Sequence, residues 1–328
     1  MKILILNQAE VEEMLPIREC INVMAEALTD LARGQVYLPL RMIIMPPDAD
    51  GDMGLMPSYR SGDRAAYGVK VVCVFAENPA RGLDPHQGSV MLFSAETGQL
   101  LALMNASAIT AIRTAAVSAL ATRLLAREDS GELTIIGAGV QARSHLEAMS
   151  CVREIKRARI VSKTFSNAQR LAAEMQPRYS FPIEPIEAAE AALRGAELIV
   201  TATTAHDPVL NRRWLAPGTH INAIGTYSRA AREIDTETIV DARLFVDRRE
   251  SALNEAGDYL IPAAAGAIGP EHIVAEIGEL LTGAKHGRQS PDEITLFKSL
   301  GLAVEDLATA DYLYRKAKRT AAGTWVEF

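Results

Sequence analysis

Apolar residues follow two different rhythms along this chain. From Tyr37 to Leu103 they come in short runs, LPLRMIIM, MGLMPSY, YGVKVVCVF, GSVMLFS and GQLLALM, parted by Gly, Pro and Asp, a pattern that predicts a mostly antiparallel sheet. The run ASAITAIRTAAVSALATRLLAR (106–127) then predicts a strong Ala/Leu helix, with Ser107 able to cap its N-terminus. Beyond Glu128-Asp129-Ser130-Gly131 the rhythm changes to strand and helix in turn. LTIIG, a helix to about Val152, ARIVS, a helix over 167–175, AELIVTAT, THINAIG and LFVD succeed one another. Continuous apolar strands joined by helices belong to a parallel sheet covered on both faces.

The two ends of the chain complete this outline. MKILIL reads as a first strand, and Pro16 opens a helix to about Arg33 with Gly34 as its stop. Near the C-terminus a helix from about Leu302 to Lys318 carries Leu302, Val304, Leu307, Ala310, Tyr312 and Leu313, apolar positions that need a surface to cover. The N-terminal sheet is the candidate surface, so the chain is expected to cross back. The fold class is α/β: a Rossmann doubly wound parallel sheet (119–302) inserted in a discontinuous α+β domain (1–118 and 303–328).

Composition narrows the function. The 328 residues are 48% hydrophobic and 23% charged, with a formal net charge of -7. No broad basic field exists for nucleic acid or an anionic membrane surface, so an anionic substrate must be held by a few placed cations. Cys20, Cys73 and Cys151 show no disulfide or zinc spacing and read as small buried hydrophobes in a reducing compartment; no metal set is visible. The start is too short in apolar residues for a signal peptide, and charges such as Arg113 and Arg123 interrupt the long apolar runs, which together point to the cytoplasm and away from a membrane.

The stretch TIIGAGVQA carries the clearest chemistry. Gly137 lets the strand turn, Gly139 lets backbone N–H groups approach a pyrophosphate at the positive end of the next helix, and Ala142 permits close packing. G-x-G-x-x-A also occurs as an ordinary tight turn. Here it follows a buried strand, opens a helix and begins a βαβ unit, which selects the dinucleotide reading. The second strand ends Ser162-Lys163-Thr164 with no acid for a ribose 2'-hydroxyl. A lysine between two hydroxyls suits a 2'-phosphate, which favours NADP(H) and keeps NAD(H) as the alternative.

Arg41, Lys70 and Arg113 sit among apolar or small residues, where an unpaired cation is costly. Each needs a carboxylate, from the protein or from a ligand. With their surroundings, NPARGLDPHQGSVMLFSAETGQLLALMNASAITAIRTAAVSALATRLLA, IGAGVQA, VTATTAHDPVL, GTHINAIG and EITLFKSLGLAVEDLA, they make the chain resemble the ornithine cyclodeaminase/mu-crystallin family almost from end to end. The resemblance implies a Rossmann domain inserted in a substrate and dimerisation domain, a homodimer, and a site at the domain cleft where an α-imino or α-amino acid meets the nicotinamide. It implies Arg41, Lys70 and Arg113 as the substrate group, Gly137, Gly139, Val140 and Gln141 at the pyrophosphate, and Ser162, Lys163 and Thr164 at the adenosine ribose. Thr201, Ala202, Thr203, Ala223 and Gly225 close strands beside the nicotinamide, and Ser299 to Gly301 bring in the last loop.

One departure separates members. Where cyclodeaminases resemble one another in carrying an aspartate two residues past the glycine of INAxG, this chain has Tyr227, a phenol whose pKa of about 10 leaves it no base near neutrality. His86, between a turn and a strand start, is a candidate proton donor with a structural loop role as its alternative, and His145 on the phosphate helix faces solvent or phosphate. Asp235 reads as helix-entry chemistry and Asp258 as part of a turn. The expected activity is NAD(P)H-dependent reduction of a small anionic α-imino acid, a cyclic ketimine or a 2-oxo-acid-derived imine, to the L-amino acid, or the reverse dehydrogenation. An ornithine-type cyclodeaminase with bound NAD and a non-catalytic mu-crystallin-like ligand-binding protein are the alternatives.

Overall fold

The computed structural model describes residues 2–328, apart from the side chain of Pro79. The chain forms two compact units, one made of residues 1–113 and 301–328 and the other of residues 114–300.

Unit 1 is built on a sheet whose strands run in the order Thr324–Glu327, Lys2–Leu6, Leu100–Asn105, His86–Ser94, Ala66–Phe75, Gly51–Arg60 and Val36–Tyr37, with Met42–Ile44 also on Gly51–Arg60. Every pairing is antiparallel except that of Lys2–Leu6 with Leu100–Asn105. The LPLRMIIM segment is strand only over Met42–Ile44, because Pro39 cannot donate to a ladder and leaves Arg41 just outside. The C-terminal helix, Ala303–Thr320, lies on this sheet. Its packing is tight at Gly68, where a Cβ would stand 2.8 Å from Leu307 Cδ1.

The Ala106–Leu125 helix carries the chain from one unit into the other. Its N-terminal cap is Asn105, whose Oδ1 accepts from the Ala108 amide at 2.8 Å. Ser107, expected in that role, lies inside the first turn and donates instead to Asp84 at 2.6 Å. By length and composition this helix could cross a membrane despite Arg113 and Arg123, but 78% of the qualifying window is buried in protein, as in a core helix.

Unit 2 is the doubly wound layer that the second rhythm predicts. Its eight strands are all parallel, in the order Ile183–Ile186, Arg157–Val161, Glu132–Ile136, Leu198–Thr201, His220–Ala223, Thr295–Lys298, Arg243–Val246 and Ile273–Glu276. Residues such as Ile199, Ile221, Leu244 and Leu296 fill one continuous core cluster. The order reverses beside Glu132–Ile136, so the crevice at its carboxyl end is where such sheets take ligands.

Candidate functional site

In the Ala66–Phe75 strand, alternation turns Lys70 to the same face as Ala66 and Gly68, the face beneath the C-terminal helix. There Lys70 Nζ meets Asp306 Oδ2 at 2.9 Å. Arg113, two turns into its helix, spreads its fork over the same two acids, Nη1 to Glu305 Oε2 at 3.0 Å and Nε to Asp306 Oδ1 at 3.1 Å. Arg41 donates to the Gly301 carbonyl at 3.0 Å. Gly301 itself is left-handed (φ 76°), and a Cβ there would stand 2.5 Å from Arg113 Nη1, so glycine is what lets that turn pass the guanidinium.

The three cations are therefore gathered, and their partners are internal. Sequence reasoning required carboxylates without locating them. The available signal was Glu305-Asp306 itself, two adjacent acids inside the apolar stretch LAVEDLATA, both fully buried in the fold. Burial drives the Lys70 ammonium down to about 8, with Arg113 and Arg41 pushing the same way against Asp306. Desolvation alone would raise Asp306, but Lys70 and Arg113 outweigh it and hold the carboxyl below its ordinary range.

His86 stands close enough to feel Lys70 and Arg113. Burial lowers its pKa below the ordinary histidine value, opposed by Asp84, whose Oδ1 lies 3.9 Å from Nδ1 and also accepts the His86 amide at 2.7 Å. Asp84 is a second residue that sequence reasoning missed; through Ser107 it also ties this loop to the start of the Arg113 helix.

In unit 2 the turn after Glu132–Ile136 has the geometry a pyrophosphate needs. Gly137 takes φ 129°, with its amide on the Val161 carbonyl at 2.8 Å, and a Cβ there would strike the Ala202 carbonyl oxygen at 2.3 Å. Gly139 caps the Val140–Val152 helix without any side-chain cap, and a Cβ there would meet nothing within 4 Å. Uncapped amides at a helix start beside open space fit an anion. Two further candidates, Gln141 and Ser299, each bury a side-chain oxygen that has no hydrogen-bond partner among the described residues. These features fit a dinucleotide, and Val140, Gln141 and Ala142 would supply its phosphate amides.

Ser162, Lys163 and Thr164 follow the adjacent strand, with Lys163 and Thr164 exposed. Thr201 to Thr203 and Ala223 to Gly225 close the next two strands, and Ser299 binds back to Ala223 through its amide at 3.0 Å. Gly301 belongs to unit 1.

Several sequence expectations change. His145 faces neither solvent nor phosphate: it is fully buried, bonded to the Gln141 carbonyl at 2.7 Å and to Ser118 Oγ at 2.9 Å, and burial lowers its pKa to about 4. Asp258 is no turn residue but a buried acid in the Gly257–Ala264 helix, paired with Lys298 at 2.9 Å. Asp235 caps a helix at the Thr238 amide, as read. Of the cysteines only Cys20 is buried, and none of the three is in a disulfide. Glu233, unremarked in the sequence, lies fully buried at the ends of two Rossmann strands.

Against known proteins, residues 1–321 match the model of the ornithine cyclodeaminase/mu-crystallin family. A Delta(1)-pyrroline-2-carboxylate reductase of Bacillus cereus is 36% identical over 326 residues, covering 99% of this chain and all of that protein. The solved Delta(1)-pyrroline-2-carboxylate reductase of Thermococcus litoralis, in complex with NADH and L-proline, superposes with a TM-score of 0.95 at 42% identity, covering 98% of this chain and 99% of the other. An archaeal alanine dehydrogenase dimer with bound NAD gives 0.93 at 34% identity with full coverage of both chains. With two geometries matching its motifs and a family model spanning nearly all of its length, the chain belongs to the ornithine cyclodeaminase/mu-crystallin family.

Proposed function

We propose that this protein is an oxidoreductase that reduces a small, anionic α-imino acid to the L-amino acid, with amino-acid dehydrogenation as the reverse reaction. The observation that carries the reading is the gathering of three cations, half-buried Arg41 and buried Lys70 and Arg113, around the Gly301 turn and the Glu305-Asp306 pair. A cation-rich group of this kind suits an α-carboxylate. Arg113 and Arg41 orient the carboxylate, which fixes the prochiral carbon. Lys70, with a pKa of about 8, is protonated at neutrality yet acidic enough to hand its proton to the imine nitrogen. An iminium accepts hydride more readily than a neutral imine, and dinucleotide bound at the Gly137–Gln141 turn supplies that hydride. His86, whose pKa burial lowers, is mostly neutral near neutrality and leaves the proton transfer to Lys70.

Two solved relatives hold NADH and NAD, which supports NAD(H); Lys163, in place of an acid, extends the choice to NADP(H). The archaeal relative is a dimer. We place a homodimer contact of this chain on Met42, Ile43, Ile44, Met45 and Met53, large apolar side chains exposed along one edge of the unit 1 sheet, since monomers rarely leave such a strip in water. Cysteines held in no disulfide accord with a cytoplasmic setting. Tyr227 lies in the loop after His220–Ala223, where a cyclodeaminase would need a carboxylate, and this disfavours the lyase reading.

The test is oxidation of NADH and of NADPH, followed separately, with pyrroline- and piperideine-2-carboxylate and with 2-oxo acids plus ammonia or methylamine. Turnover is expected with at least one imine. Lys70 becomes a free base as pH rises through about 8, so the rate should fall about tenfold per unit above that pH. Ammonia release from ornithine without net cofactor change would replace the reductase by the lyase.

A further inference from the structure

Glu233 is fully buried, and its two carboxylate oxygens each accept twice. Oε2 takes Thr201 Oγ1 at 2.8 Å and the Gly225 amide at 2.7 Å; Oε1 takes the Thr203 amide at 2.8 Å and Thr203 Oγ1 at 2.7 Å. All four donors come from the carboxyl ends of two neighbouring parallel strands or the residues just beyond them. The approach is close enough that a Cβ on Gly225 would stand 2.4 Å from Glu233 Oε1 and 2.2 Å from the Thr203 carbonyl oxygen. A second buried pair anchors the clamp: Asp258 Oδ1 accepts the Glu233 and Ile234 amides at 2.8 and 3.0 Å, and Lys298 bridges Asp258 at 2.9 Å to the Thr226 carbonyl at 2.7 Å. A buried charge is an expensive way to join two loops, and a hydrophobic contact would serve a merely packed core. What the carboxylate adds is fixed direction for backbone groups on the rim where sheets of this class hold their ligands.

Resting on the functional reading above, we infer that Glu233 is a positioning residue for hydride transfer, holding the 201–203 and 223–225 rims in the register that sets the pose of the nicotinamide half of the dinucleotide. The adenosine and pyrophosphate half is held elsewhere, at residues 137–141 and 162–164, so loss of the clamp should separate rate from affinity.

Glu233→Gln tests this sharply. The isosteric amide turns its NH2 toward either the Thr203 or the Gly225 amide, setting donor against donor in both orientations. NADH titrated by fluorescence should bind with a Kd within about threefold of wild type, while kcat per bound cofactor falls on the order of 100-fold. The primary isotope effect with 4-deuterated NADH should rise toward its intrinsic value, the emission of bound NADH should shift, and amide exchange at Thr203 and Gly225 should accelerate. A lower Tm with unchanged kcat per bound cofactor and unchanged isotope effect would leave Glu233 a structural residue and overturn the inference. If Glu233→Gln does not fold, Thr201→Val removes one donor at constant volume and should move the same readouts less far; no movement overturns the inference equally. Should wild type reduce no imine, the functional reading fails, and the clamp is then judged by exchange and bound-NADH emission: both must change at retained Kd, and either unchanged sinks it.

Discussion

The two units bind charge by opposite means. The glycine turn of unit 2 offers an anion the backbone amides of Val140, Gln141 and Ala142 at a helix start, and no side-chain cation stands within residues 137–142. The cation cluster of unit 1 uses side chains from Arg41, Lys70, Arg113, Glu305 and Asp306, separated by up to 265 positions and brought together by the sheet and its covering helix. Backbone amides carry fixed partial charge and do not titrate, which suits a ligand that is always anionic. Titratable side chains in a buried cluster shift one another, which suits a reaction in which a proton must move. The cost is mutual dependence: a member of the cluster cannot be removed without leaving its partners buried and uncompensated.

Arg113→Ala breaks this comparison hardest. Turnover should fall on the order of 100-fold or more through loss of a cation that orients the substrate carboxylate, and Glu305 and Asp306 should be left short of their cation at a cost of about 3–5 kcal/mol in stability. Arg113→Lys keeps the charge and loses the fork, so most stability should return without the activity. Thermal melts and NADH oxidation measured side by side check both. Full activity in Arg113→Ala would remove the cluster from the reaction.

The glycines sharpen the other side. Gly137→Ala should fail to give a folded unit 2, because φ 129° is closed to L-residues and the new Cβ would meet the Ala202 carbonyl oxygen at 2.3 Å. Gly139→Ala meets nothing within 4 Å and has an extended φ of -94°, so its Tm should stay near wild type. Its methyl enters the space an anion would use, and dinucleotide affinity should drop about tenfold, or roughly 1.4 kcal/mol. Equal Tm loss in the two variants would mean that Gly139 serves the fold and not the ligand.

That contrast explains what the sequence discloses. The Gly137–Ala142 turn is legible because all its chemistry is local: strand, glycines and helix start are consecutive. Arg41, Lys70 and Arg113 are legible as anomalies, charges among apolar neighbours, and the same logic finds Glu305 and Asp306 only as further anomalies, since no spacing pairs residue 70 with residue 306. Glu233 shows why some residues stay hidden. In the company of AAREIDTE (230–237) it looks like one of many surface acids, and only the return of residues 226–234 across two strand ends buries it. Asp258 and His145 are hidden for the same reason, local context suggesting a turn or an open helix face where tertiary packing buries both. Ser107 lost its cap role to Asn105 by two positions, within the usual uncertainty of helix ends.

The smallest effect is expected at Lys163, where the cofactor's own charge is the probe. Lys163 is exposed, so its attraction to a 2'-phosphate is screened by water and worth about 1 kcal/mol, far less than a buried pair would give. Lys163→Ala should therefore raise the KM for NADPH about fivefold and leave that for NADH unchanged, with kcat the same for both. Raising ionic strength should weaken NADPH binding in wild type and affect Lys163→Ala less, because the screened interaction is already gone. Thr164, which starts the next helix without a side-chain cap bond, keeps its hydroxyl available for the ribose in either case. An equal response of NADH and NADPH to the substitution would make Lys163 an ordinary solvated lysine and leave NAD(H) as the cofactor; the amide-built phosphate turn, which sees the same pyrophosphate in both dinucleotides, cannot make that distinction, so the choice rests on this one exposed side chain.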